Sequence, residues 1–135
     1  MEKAPDSLTL TTSIPRPADD VYDFLRDPNN FSMWATSFCQ SVKNVGGKWI
    51  IETPLGPHEV DIVRLNPYRV VDHYVRPVDS DKETYVPMRV VANGENASEV
   101  IFTLNRTKDM SEARFSDDAD MVRRDLATLK RLLEG

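Results

Sequence analysis

The sequence predicts an α+β protein: a curved seven-stranded antiparallel sheet, two short helices, and one long C-terminal helix packed across the sheet. Three observations carry this reading. Residues 116–135 repeat Val122, Leu126, Leu129 and Leu133 at three- and four-residue steps, the period of an amphipathic helix. Residues 38–107 read as strand after strand, separated by short turn signals. Before them, a first strand is followed by a helical pattern that Pro17 opens.

Taken in order, residues 7–14 (SLTLTTSI) alternate and are threonine-rich, as suits a first strand. Pro15 and Pro17 end it, and Val21, Phe24 and Leu25 give the following helix its buried side. Asp27-Pro28-Asn29-Asn30 breaks that helix, and Asn30 caps a short second one through Phe31, Met33 and Trp34. Strands are then expected at residues 38–45, 48–53, 58–65, 70–76, 83–92 and 98–106. Gly46-Gly47, Pro54 to Pro57, Asn66-Pro67 and Asn93-Gly94 supply turns between them. A polar connector over residues 107–113 leads to the last helix. Ser116 or Asp117 is its expected N-cap, Asp118 and Asp120 favour its first turn, and Met121, Ala119 and Leu132 widen its stripe.

With 135 residues, 40% hydrophobic and 29% charged, the chain is expected to form one domain, residues 1–135, with residues 1–6 flexible. A net charge of −5 argues against nucleic acid as a partner, because phosphate binding needs a basic field. Cys39 is the single cysteine, so no intrachain disulfide can form. No segment approaches the ~20 apolar residues of a membrane span, and no signal peptide is visible. A cytoplasmic protein, monomer or homodimer, is the expectation. No Gly-rich phosphate loop, no His or Cys cluster with metal spacing and no nucleophile elbow is present, so neither cofactor nor metal is expected.

Pairing the strands picks an inner face. A four-residue turn at Pro54 to Pro57 pairs Thr53 with His58 and sets Trp49, Ile51, Val60 and Ile62 together. Pairing Leu65 with Val70 puts Ile62 opposite His73, and Thr84, Val86, Met88, Val90, Val100, Phe102 and Leu104 extend the surface. His73 is its one ionisable member, suited to act as acid, base or hydrogen-bond partner, or to sit as a core histidine bonded to a backbone carbonyl. His58, at a turn, is read as a surface residue. The opposite face carries Asp72, Tyr74, Arg76, Tyr85, Arg89 and Thr103, with Asp72 and Arg89 placed for a cross-strand ion pair. Reversing the register would turn Arg89 inward in place of His73.

This order of elements resembles the helix-grip fold of the START-like superfamily, also called SRPBCC, which includes polyketide cyclases, carriers of hydrophobic ligands and lipid-transfer domains. SIPRPADDVYDFLRDPNNFSMW is similar to the group's opening and GGKWIIETPLGPHEVDIVRLNPYRVVDHYV to its central strands. YVPMRVVANGENASEVIFTLNR and SDDADMVRRDLATLKRLLEG most resemble bacterial members described as polyketide-cyclase-like. The resemblance implies a cavity between sheet and last helix, walled by Trp34, Trp49, Ile51, Ile62, His73, Val86, Met88, Phe102, Met121, Val122 and Leu126. It implies binding of a small hydrophobic or aromatic molecule. The alternative is a cyclase- or dehydratase-like enzyme in which His73 moves a proton; such chemistry needs a second convergent polar group, which the sequence does not place.

Overall fold

The computed structural model describes residues 6–135. Of the flexible N-terminus expected over residues 1–6, the first five positions lie outside the described residues. Asp6 itself bonds Arg106, whose backbone N–H donates to Asp6 O at 2.9 Å.

The elements run β1 (Ser7–Ile14), α1 (Ala18–Leu25), a single 3-10 turn (Pro28–Asn30), α2 (Phe31–Trp34), β2 (Ser41–Val45), β3 (Lys48–Thr53), β4 (Gly56–Ile62), β5 (His73–Pro77), β6 (Thr84–Val86), β7 (Met88–Ala92), β8 (Ser98–Asn105) and α3 (Glu112–Glu134). All strand pairs are antiparallel. They form two sheets, β1-β8-β7 and β2-β3-β4-β5-β6, in place of the single seven-stranded sheet expected.

Pro87 is the reason. It falls inside the strand predicted at residues 83–92 and has no N–H to give a ladder, so the strand divides into β6 and β7. The chain bridges the break with side-chain chemistry. Asp72 Oδ1 accepts the Met88 N–H at 2.8 Å, and its carboxylate also takes the Tyr85 hydroxyl at 2.7 Å and Arg89 Nη2 at 3.1 Å. Val71 N–H donates to Met88 O, and Val90 N–H to Arg69 O. Arg69 holds a positive φ of 57° there, the only described residue besides glycines to do so.

Two boundaries differ for local reasons. The turn before β4 has only Pro54 and Leu55 at its tip, pairing Thr53 with Gly56, whose φ of 101° needs glycine. His58 therefore pairs with Ile51 rather than with Thr53. The shift is two residues, so the faces keep their parity, and Ile62 still pairs with His73 as expected. Residues 38–40 precede β2 as a turn, not as the start of a strand.

The last helix begins a full turn before the expected Ser116 or Asp117. Ser111 is its cap, accepting the Arg114 N–H at 3.1 Å, and Arg114 pairs with Asp118 one turn on. Ala119, Leu126 and Leu129 are buried, with Leu129 fully sealed. Leu132, expected to widen the stripe, is 40% exposed. The helix packs against β1 and α2, and α1 packs against β7. In α1 the buried side is Ala18, Val21, Tyr22 and Leu25, while Phe24 is only half-buried. Tyr22 earns its place by accepting the Asn66 N–H on its hydroxyl, which docks the loop between β4 and β5 onto α1.

Candidate functional site

The alternation of β3 to β8 directs Ile51, Val60, His73, Val86, Met88, Val90, Val100 and Phe102 to one face, and all are buried. Trp34 of α2 and Leu126 of α3 join the same apolar cluster, with Ile62 and Val122 packed against it half-buried. Trp49 and Met121 are half-buried and stand outside that cluster. Of the eleven residues expected to form a wall, nine thus meet around one core, counting His73, whose ring lies against Phe102.

His73 is at the centre of the aromatic part. Its ring stands edge-on to Phe31 of α2, with centroids 5.5 Å apart, and to Phe102 of β8 at 6.5 Å. Phe31 in turn stacks on Trp34 at 5.9 Å. Nδ1 lies 3.0 Å from Val71 O. Burial pulls the imidazole pKa below its ordinary value; the Val71 hydrogen bond and the nearby Asp72 charge oppose this without cancelling it. The adjacent Asp72 points to the other side of the strand, where it pairs with Arg89 as expected. Burial by itself would raise the Asp72 pKa, yet the hydrogen bonds from Arg89, Met88 N–H and Tyr85 together hold it below the usual value. Arg89, whose side chain is 53% exposed, thus belongs to the outer face.

Three buried polar groups sit where the sequence reading placed none. His58 is not a surface residue: it is buried on the inner face of β4, edge-on to Phe38 at 5.9 Å. Its Nδ1 lies 2.9 Å from Gly56 O and 3.3 Å from Thr53 Oγ1, so it serves the tight turn. The parity it shares with Val60 and Ile62 was the available signal. Asp125 is buried on α3 and accepts the Ser37 N–H at 2.9 Å, tying the helix to the loop after α2. Burial raises its pKa, with the Ser37 hydrogen bonds and the Arg124 charge opposing. It lies three residues after Val122 and four before Leu129, on the apolar stripe itself, which is how it could have been found. Cys39 is the third. Burial pushes its thiol up to about 11, its bond to Ser41 O opposing and Asp125 adding, so it stays a protonated thiol rather than a nucleophile.

Two open depressions lie on the surface, and neither contains a residue of the expected wall. One, of about 550 Å³, spans the outer face of β2 to β5 and is lined by Lys43, Lys48, Ile50, Glu52, Glu59 and Arg76 among others. The second, of about 230 Å³, lies between α1 and the end of α3, by Arg16, Phe24 and Leu133. Among the described residues no group of three His, Cys, Asp or Glu side chains could hold a metal ion. No described helix is long and apolar enough to cross a membrane.

No protein-family model and no curated protein matches the chain. Solved structures do. A START superfamily protein from Mycobacterium smegmatis superposes with a TM-score of 0.77 at 8% identity, covering 95% of this chain and 97% of that one. The Zhui aromatase/cyclase from Streptomyces sp. R1128 gives 0.68 at 15% identity, covering 97% and 94%. The di-domain aromatase/cyclase BexL of the BE-7585A biosynthetic pathway gives 0.71 at 17% identity, over 93% of this chain and 45% of that larger one. The chain therefore has the START-like, polyketide-cyclase-like fold: α+β, with open antiparallel sheets and one long C-terminal helix. At these identities the likeness is one of fold.

Proposed function

We propose that the protein binds a small hydrophobic or aromatic molecule between the inner sheet face and α3, with Trp34, Trp49, Ile51, Ile62, His73, Val86, Met88, Phe102, Met121, Val122 and Leu126 around it. One observation carries this reading: the buried imidazole of His73 stands edge-on to Phe31 and Phe102 against an apolar cluster. An apolar lining with one placed polar group suits a ligand that is flat, largely apolar and singly hydrogen-bonding. The START-like fold supports it by analogy, since its structural neighbours include aromatase/cyclases. The same reading takes the chain as one cytoplasmic domain, monomer or homodimer; a single, buried free cysteine agrees with a reducing compartment.

Native mass spectrometry of protein purified without denaturation tests the proposal. A stoichiometric adduct of a few hundred daltons, lost on Met88→Trp, is the expected result. Adduct-free protein that also binds no aromatic probe in calorimetry would contradict it.

The enzymatic alternative makes His73 the acid–base group of a cyclase- or dehydratase-like reaction, favoured by the likeness to Zhui. His58, Asp125 and Cys39 are each held by other groups, so His73 would act without a second buried partner of its kind. That shortage favours binding. A His73→Gln variant that keeps ligand but loses turnover would reverse the preference.

A further inference from the structure

Resting on the ligand-binding reading above, we infer that His73 meets the bound molecule with Nε2 as a hydrogen-bond acceptor, so the site selects an uncharged aromatic donor, a phenol or an aromatic N–H, over an ether, a ketone or a carboxylate.

The argument starts from Val71. Its carbonyl oxygen lies 3.0 Å from His73 Nδ1 and can only accept, so the hydrogen resides on Nδ1. A neutral imidazole carries one N–H, which leaves Nε2 with a bare lone pair. The ring has little means to become a cation where it stands. It is 5% exposed, it lies against two phenyl rings, and the one neighbouring carboxylate, Asp72, is committed to Met88 N–H, Tyr85 and Arg89. Burial lowers its basicity in agreement.

Nε2 has no protein partner among the described residues. The one sealed side-chain polar atom without a partner among them is Ser98 Oγ; His73 keeps only a trace of exposure. A lone pair in apolar surroundings is costly to leave unmet. An occupant that offers O–H or N–H recovers that cost. One that offers only an acceptor sets lone pair against lone pair, and an anion adds burial of its own charge beside an uncharged ring. Specificity therefore comes from the tautomer, which a backbone carbonyl two residues away fixes.

Calorimetry with β-naphthol and its methyl ether tests this. Wild-type protein is expected to bind naphthol roughly tenfold or more tightly than the ether. The His73→Phe variant is expected to bind the two alike. Equal or reversed affinities in the wild type, or discrimination that survives in the variant, would overturn the inference while leaving the pocket standing. Binding of neither probe would overturn the pocket and the inference with it. Nitrogen-15 NMR of the wild-type imidazole gives a reading that needs no variant: a proton on Nδ1 and a bare Nε2 are expected, and the opposite tautomer would overturn the inference by itself.

Discussion

A buried histidine and a buried aspartate respond to pH in opposite directions here. The folded-state pKa of His73 lies below that of the unfolded chain, about 6.5. Between the two values the unfolded chain takes up a proton that the folded one does not. His73's contribution to stability is therefore complete above about pH 6.5 and is lost as pH falls toward the folded value. Asp125 has a raised folded pKa, so its contribution is complete below the ordinary carboxylate value and is lost as pH rises through the folded one. Thermal melts from pH 7 down to 5 should show the His73 slope, and His73→Phe should flatten it; an unchanged slope would assign it to another group. Sequence reasoning reached His73 because strand alternation is a strict period of two. It did not reach Asp125, a charged side chain whose three- and four-residue spacing to Val122 and Leu129 puts it on the buried stripe. His58 was missed for a different reason: a turn drawn two residues too long placed it at the turn's closing pair instead of inside the strand.

Among the elements, the break at Pro87 is the feature that the strand pattern concealed. Residues 83–92 alternate through the proline, and periodicity does not register a missing N–H. Asp72 takes over at the break, and its effect can be isolated by substitution. Asp72→Ala strands the Met88 N–H and frees Tyr85 and Arg89, an expected loss of about 1–3 kcal/mol for the unmet buried group. Asp72→Asn keeps an acceptor for Met88 and should cost less. Denaturant unfolding measures both, and equal costs would mean that the Met88 bond contributes nothing. The partly exposed Arg89 adds little beyond this, since solvent screens its charge. Helix α3 shows the same lesson at its start. Phe115, half-buried, continues the spacing of Ala119, Val122 and Leu126 backward by four, so the extra turn was written in the sequence but lacked an obvious cap-and-carboxylate signature.

For the whole molecule, α3 is the element whose removal should be felt everywhere, because Leu129 has no exposure and Leu126 little. Leu129→Ala is expected to lower unfolding free energy by about 2–5 kcal/mol. Cys39 offers a second readout of the same change. A sealed thiol with a pKa near 11 should react with iodoacetamide only when the structure opens, so labelling should quicken in the variant. Labelling at the rate of a free thiol in the wild type would contradict the burial of this region. The fold as a whole was legible because the element order and the inner-face parity follow from two simple periods. The site was less so: which buried polar groups find partners depends on loops, such as the Ser37 segment, that carry no period at all.

The pairing of β1 with β8 has a consequence in time. Thr9 and Thr103 share a hydrogen bond across 94 positions of sequence. As the chain leaves the ribosome, Ser7–Ile14 emerges long before its partner strand β8 exists. β2 to β6, by contrast, pair strictly with neighbours and can assemble as they appear. The first strand is thus the last to be zipped, and until then its threonine-rich edge, rather than a run of bulky apolar residues, is what a nascent chain presents to its surroundings.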